Sequence, residues 1–158
     1  MNTRIVLTLA LALGSGYPPA QAATPAAATP AMASEKDAIA LAERGAQFVR
    51  QHGKAEMVKR INSKDPEFNL GSLYLAMRDL DGITVAHPTT ALIGKNLLDV
   101  PDADGKPFRQ ELVATAKGKG KGWVDYKFRN PTTGKVEAKS TYVLRVDDIA
   151  LEAGIYKH

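Results

Sequence analysis

Gly71-Ser72-Leu73-Tyr74-Leu75-Ala76-Met77-Arg78-Asp79-Leu80-Asp81-Gly82-Ile83-Thr84-Val85-Ala86-His87-Pro88 decides the fold. Upstream of it, apolar residues recur at three- and four-residue spacing; from Gly71 onward the period is two. Leu73 to Arg78 reads as a strand and Asp81-Gly82 as a hairpin turn. Ile83 to His87 is the returning strand, stopped by Pro88, which has no N–H to give a ladder. Alternation along the first strand puts Tyr74 and Met77 on opposite faces.

Toward the amino terminus, Ser34 and Asp37 fit a capping box that starts a helix. Ile39, Ala42, Ala46 and Val49 form its apolar stripe, widened by Leu41 and Phe48, and His52-Gly53 ends or bends it. A second helical piece, Lys54 to Ile61, places Met57, Val58 and Ile61 on one side, and residues 62–69 read as a loop around Asp65-Pro66. Toward the carboxyl terminus, residues 89–105 are a long connection. Pro107 starts a short amphipathic helix, Phe108 to Lys117, which the Lys/Gly run 117–122 breaks. Three further strands follow: Trp123 to Arg129, Val136 to Val146, and Ala150 to Tyr156. Short turns between neighbours predict an antiparallel sheet, and the grouping of helices and strands predicts an α+β layout.

The first residues have the layout of a secretory signal peptide: Arg4, an uncharged apolar run from Ile5 to Leu13, and a small-x-small site at Ala20-Gln21-Ala22. The run is short of the ~20 residues that span a bilayer. The chain therefore divides into a leader (1–22), a flexible Ala/Pro/Thr segment (23–33) and one domain (34–158), expected in the periplasm without a membrane span. The whole is 158 residues, 44% hydrophobic and 24% charged, enough for one real core. There is no cysteine, which excludes thiol nucleophiles, thiolate zinc and iron–sulfur centres. Formal charge is +4, of which the leader holds one in Arg4. That suits an anionic small ligand and is too weak an excess for nucleic acid.

Several motifs recur here in a familiar order. Ser72 to Gly82 leads into Ala86-His87-Pro88, then Leu92-Ile93-Gly94-Lys95-Asn96 and Asp102-Ala103-Asp104-Gly105-Lys106. Gly122-Trp123-Val124-Asp125-Tyr126, Asn130 to Lys135 and Lys139-Ser140-Thr141-Tyr142-Val143 follow. The set resembles the single Cache domain type 2, over about residues 36–157. The resemblance implies a PAS-like extracytoplasmic sensor fold. A long amino-terminal helix packs on one face of a five-stranded antiparallel sheet. A loop–helix crossover between strands two and three closes a pocket on the other face. Family members bind small organic acids or related metabolites, and most continue into a membrane helix and a signalling domain, whereas this chain stops at His158.

A buried carboxylate ligand needs a cation and oriented donors. Lys139 matches the family's lysine and is the preferred cation, although a strand lysine is by itself ordinarily solvated. Tyr126 offers a hydroxyl; Trp123, three residues away, points to the other face and into the core. Tyr74, Tyr142 and Met77 are candidate wall residues, with plain core as the competing reading. His87 stands at the pocket mouth, as a ligand contact or a loop cap. Arg109 on the crossover helix either faces the anion or lies on a solvated face.

No His-Glu-x-x-His or similar spacing supports a metal site. Asp102, Asp104, Gly105 and Glu111 match part of a calcium loop, but Val100 stands at its first position and a turn is the better reading. No nucleophile elbow or acid/base pair marks an enzyme. A hidden carboxylate pair among Asp79, Asp81, Asp102 and Asp104 competes with a turn reading. The expectation is a non-catalytic periplasmic binding and sensing domain without cofactor. It would take a small, anionic ligand and dimerise through its first helix. The alternative is an interaction protein that docks on a membrane receptor or transporter.

Overall fold

A computed structural model describes residues 32–157. The leader at 1–22 and most of the Ala/Pro/Thr segment lie outside the described residues. Ser34 caps helix α1 (Glu35–His52) with the full reciprocal box: its hydroxyl accepts from the Asp37 amide while the Asp37 carboxylate accepts from the Ser34 amide. Gly53 separates α1 from α2 (Lys54–Asn62). Residues 69–156 then supply β1 (Asn69–Leu70), β2 (Leu73–Asp79), β3 (Thr84–Ala86), α3 (Phe108–Gly118), β4 (Lys121–Arg129), β5 (Val136–Val146) and β6 (Ile149–Tyr156).

The strands form one antiparallel sheet in the order β1-β2-β6-β5-β4, with β3 also on β2. β1 and β3 share the outer edge of β2, one at each end. Five of the strands are those expected. The sixth, β1, falls at the end of the stretch read as a loop. It exists because Gly71 takes a positive φ of 79°, which lets Leu70 turn back onto Leu73. No described helix is long and apolar enough to cross a membrane.

Alternation gives the sheet two unlike faces. Leu73, Leu75 and Met77 of β2 and Ile149, Leu151, Ala153 and Ile155 of β6 pack under α1. The helix meets them with Ala38, Leu41, Ala42, Ala46 and Val49. Gly45 lies where a Cβ would come within 2.5 Å of Leu75 Cδ2, so the small residue sets how close α1 rides on the sheet. The face that α1 leaves to solvent carries Lys36, Glu43, Arg44, Gln47 and Arg50, so a dimer through this helix would have to use polar contacts. On the opposite face, α3 packs Phe108, Leu112 and Ala116 against Val124, Tyr126, Val143 and Ala150.

The crossover, residues 87–107, spans that second face and is pinned at both margins. On the β3 side, Thr84 donates to Lys95 O, Gly94 donates to Thr84 O, and Ile83 bridges to Asn96. On the β4 side, the Asp102 carboxylate accepts from the amides of Asp104, Lys106 and Lys127. That arrangement is a turn fastened to the sheet, in line with the turn reading and not the calcium one. Asp79 does the same for the hairpin, accepting from Asp81 and Ile83 amides. These two carboxylates are engaged in local loops, and no group of described residues has the makings of a metal site.

Gly45→Val should overpack the α1–sheet interface and lower stability by about 1–3 kcal/mol, read as a reduced urea midpoint with unchanged m-value.

Candidate functional site

The residues of the second face converge beneath the crossover. Tyr74 and Arg78 come from β2, Lys139 and Thr141 from β5, Tyr126 from β4 and Glu152 from β6. Arg109 and Phe108 close the space from α3, and His87 and Leu92 from the crossover. The cavity measures about 20 Å³, room for about one water.

Three cations and one carboxylate border it. Arg78 is bidentate to Glu152, Nε to Oε1 at 2.7 Å and Nη2 to Oε2 at 3.3 Å. Its Nη1 donates to Gly82 O and Thr84 Oγ1. Burial opposes the Arg78 charge, but Glu152 more than offsets this and the guanidinium titrates above its usual range. The pair is a strut between β2 and β6, fully occupied within the protein.

Lys139 is different. It is 3% exposed, yet among the described residues no carboxylate lies within ion-pairing distance of it. Its Nζ donates to Tyr74 OH at 2.8 Å and sits over the rings of Tyr74, Tyr156 and Phe128, 4.1, 4.8 and 5.4 Å from their centroids. Burial pulls its pKa down to about 7, with the Glu152 charge acting in the other direction. Gly154 makes this position available: a Cβ there would run into Lys139 Cε and Thr141 Oγ1.

Arg109 is also buried and also lacks an acid partner among the described residues. Its Nη1 donates to Val100 O at 2.8 Å, and its guanidinium stacks on Phe108 at 4.2 Å. Burial, then the charge of Arg78, lowers its pKa. Tyr126 shares a 2.8 Å hydrogen bond with Thr141 Oγ1 and stacks on Phe108; burial pushes its phenol up. Burial also raises Tyr74 well above its usual range and pushes Tyr156 up to about 12, so these phenols stay protonated donors. His87 both lines the cavity and caps its loop, Nδ1 accepting from the Thr89 amide at 2.8 Å. Burial, followed by the charges of Lys139, Arg78 and Arg109, depresses its pKa to about 3.

The structure thus brings Lys139, Tyr126, His87, Tyr74 and Arg109 to one cavity. Tyr142 is a correction. It belongs to the α1 face, opposite Trp123 in the register, with their ring centroids 5.3 Å apart. The reason is parity: Tyr142 is three residues from Lys139 on one strand, so the two cannot share a face. Met77 likewise packs under α1. Arg78 and Glu152 were not among the expected site residues. A signal exists for one of them, since Glu152 is the lone charge within an otherwise apolar strand, whereas Arg78 is followed by Asp79 at the end of β2. Isolated charges of that kind need a buried partner.

Known proteins share this fold. The chain belongs to the single Cache domain 2 family, whose model matches residues 36–150. Over 75 residues, 47% of the chain, it is 39% identical to the sensor histidine kinase MctS of Rhizobium johnstonii, and it spans only 16% of that protein's length. Among solved structures it resembles a periplasmic sensor domain of a chemotaxis protein, with TM-score 0.61, 25% identity, and coverage of 78% of this chain and 90% of that one. A methyl-accepting chemotaxis protein from Vibrio parahaemolyticus shares the fold at TM-score 0.65 and 22% identity over 77% of this chain and 86% of that one. So does a Cache chemosensory domain solved for carboxylic acid recognition, at 0.61 and 23% over 78% of this chain and 88% of that one. The chain is therefore a Cache domain, and the solved structures it resembles include a periplasmic sensor domain.

Two outcomes follow from the buried charges. Arg78→Leu should lower stability by about 3–5 kcal/mol by leaving Glu152 buried and unpaired, and adding Glu152→Leu should restore most of it in denaturant titrations. Because the folded pKa of His87 lies near 3, the unfolded chain binds the extra proton between about pH 3 and 6.5. Stability should therefore fall as pH drops through that window, and His87→Gln should flatten the midpoint-versus-pH curve there.

Proposed function

We propose that this domain captures a small carboxylate, or an anion of similar size and shape, in the cavity between the sheet and the crossover. One observation carries the reading: Arg78, Arg109 and Lys139 border the same buried space and only Glu152 balances them. Unpaired buried cations are costly, and a bound anion relieves that cost. Lys139 and Arg109 are the groups free to take it up, with the Tyr74 and Tyr126 hydroxyls as flanking donors. Arg78 and Glu152 hold β2 and β6 together beneath it. The carboxylic acid recognition described for one Cache neighbour supports the same ligand class.

The cavity as it stands has room for about one water, so capture of a carboxylate moves crossover side chains apart. The reading is one of binding without turnover, in a domain exported behind the leader at residues 1–22 and working in the periplasm. The signal then passes to a membrane sensor or transporter partner.

Titration calorimetry against formate, acetate, propionate and lactate tests the proposal. Saturable binding should appear with at least one of them, and no heat and no thermal shift with any would overturn it. Lys139→Met keeps the apolar stem packed and should weaken that binding at least about tenfold, since a charge-assisted hydrogen bond contributes about 1.5–3 kcal/mol. With the Lys139 pKa near 7, the free protein has lost most of this charge at about pH 8.5, and a bound anion draws a proton back onto the amine. Proton uptake on binding should approach one per ligand at about pH 8.5 and vanish near pH 5.5.

A further inference from the structure

Beside the charged cavity lies a second, larger chamber of about 310 Å³. Gly71, Tyr74, Pro88, Leu92, Phe128 and Pro131 form most of its wall. Lys64, Asn69, Thr89 and Arg129 complete it. Tyr74, Leu92 and Phe128 also line the inner cavity, so one layer of side chains separates the two spaces.

The two spaces differ in chemistry and in size. The inner one holds the unpaired cations and has about 20 Å³ of room, so a carboxylate fits there only as the side chains above it move apart. The outer one is predominantly aliphatic and aromatic and is more than ten times larger. Leu92 and Phe128 are only half-buried, which leaves their side chains the freedom to part. An anion seated at Lys139 and carrying an apolar substituent would thread between Tyr74, Leu92 and Phe128 into the outer chamber.

The geometry points to an amphipathic monocarboxylate as the ligand class, with its head at Lys139 and Arg109 and its hydrocarbon tail in the chamber walled by Pro88, Leu92, Phe128 and Pro131. This rests on the anion reading above and extends it from a charge to a shape. Each methylene buried in the chamber should tighten binding about three- to fourfold until the chamber is full.

The test is a calorimetric series on the whole chain with acetate, butyrate, hexanoate and octanoate, repeated with Thr89→Trp, which fills the chamber from its exposed rim. In the unaltered protein hexanoate should bind at least about 20-fold tighter than acetate. In Thr89→Trp the hexanoate-to-acetate ratio should fall toward one. Octanoate should also bind tighter than octanedioate, whose second carboxylate would enter an apolar space. If acetate binds and affinity does not rise with length, the tail site is wrong while the anion site stands. If affinity rises equally in both proteins, the tail lies elsewhere and the chamber assignment fails. If octanedioate wins, Lys64 and Arg129 are recognising charge and the apolar-tail assignment is overturned. If no member of the series binds, both readings fall together.

Discussion

Strand β6 occupies the centre of the sheet, and its alternation constrains everything around it. Ile149, Leu151, Ala153 and Ile155 face α1 and can only be core. Ala150, Glu152, Gly154 and Tyr156 face the other way and are buried as well, Ala150 under α3 and Glu152 and Gly154 at the cavity beneath the crossover. A carboxylate placed there must be answered from a neighbouring strand, and Arg78 of β2 answers it. A glycine placed there must be filled from a neighbouring strand, and the Lys139 stem fills it. The cationic cavity is thus a consequence of what the middle strand carries on one of its two faces. The sheet itself is held by the other face.

Much of this was legible in the residues. The switch from helical spacing to a period of two at Gly71, the Asp81-Gly82 hairpin and the Ser34 box each rest on a local rule that tertiary packing reinforces. The ordered motifs identified the family, and the family lysine proved buried. Legibility ended where long-range register begins. Which of Tyr126, Tyr142 and Tyr74 share a face with Lys139 depends on parity within β5 and on pairing across β4 and β2. Parity alone would have removed Tyr142, since it lies an odd number of residues from Lys139 on the same strand. The Arg78–Glu152 pair joins residues 74 positions apart, and no local pattern reports such a partner. Only Glu152, a solitary charge in an apolar strand, hints at it. β1 escaped notice because two residues are too few for periodicity to register.

The buried cations are not equivalent, and the difference decides what each can do. Arg78 spends its donors on Glu152, Gly82 and Thr84, so it holds strands together and has little left for a ligand. Lys139 gives one donor to a phenol and lies among three aromatic faces, which stabilise a cation by their quadrupoles without neutralising it. Desolvation pulls the other way and leaves the amine about half protonated near pH 7. A group balanced between those two tendencies responds strongly to one added anion, because that anion settles which protonation state prevails.

Arg109 adds the link to the crossover. Its guanidinium donates to Val100 O, between the two margins where the crossover is pinned. An anion that draws this guanidinium inward competes with that carbonyl for the same donor. Residues 97–101 run between Lys95 and Asn96, fastened beside β3, and Asp102, fastened to β4, with Asp99 tied to α3 through Gln110 and Leu98 packed on Gly82. A ligand event inside a stiff sheet can thus reach the surface through a short arc held at both ends. The sheet itself has no such freedom, since its β2–β6 contact is locked by the Arg78–Glu152 pair and its other face is packed against α1.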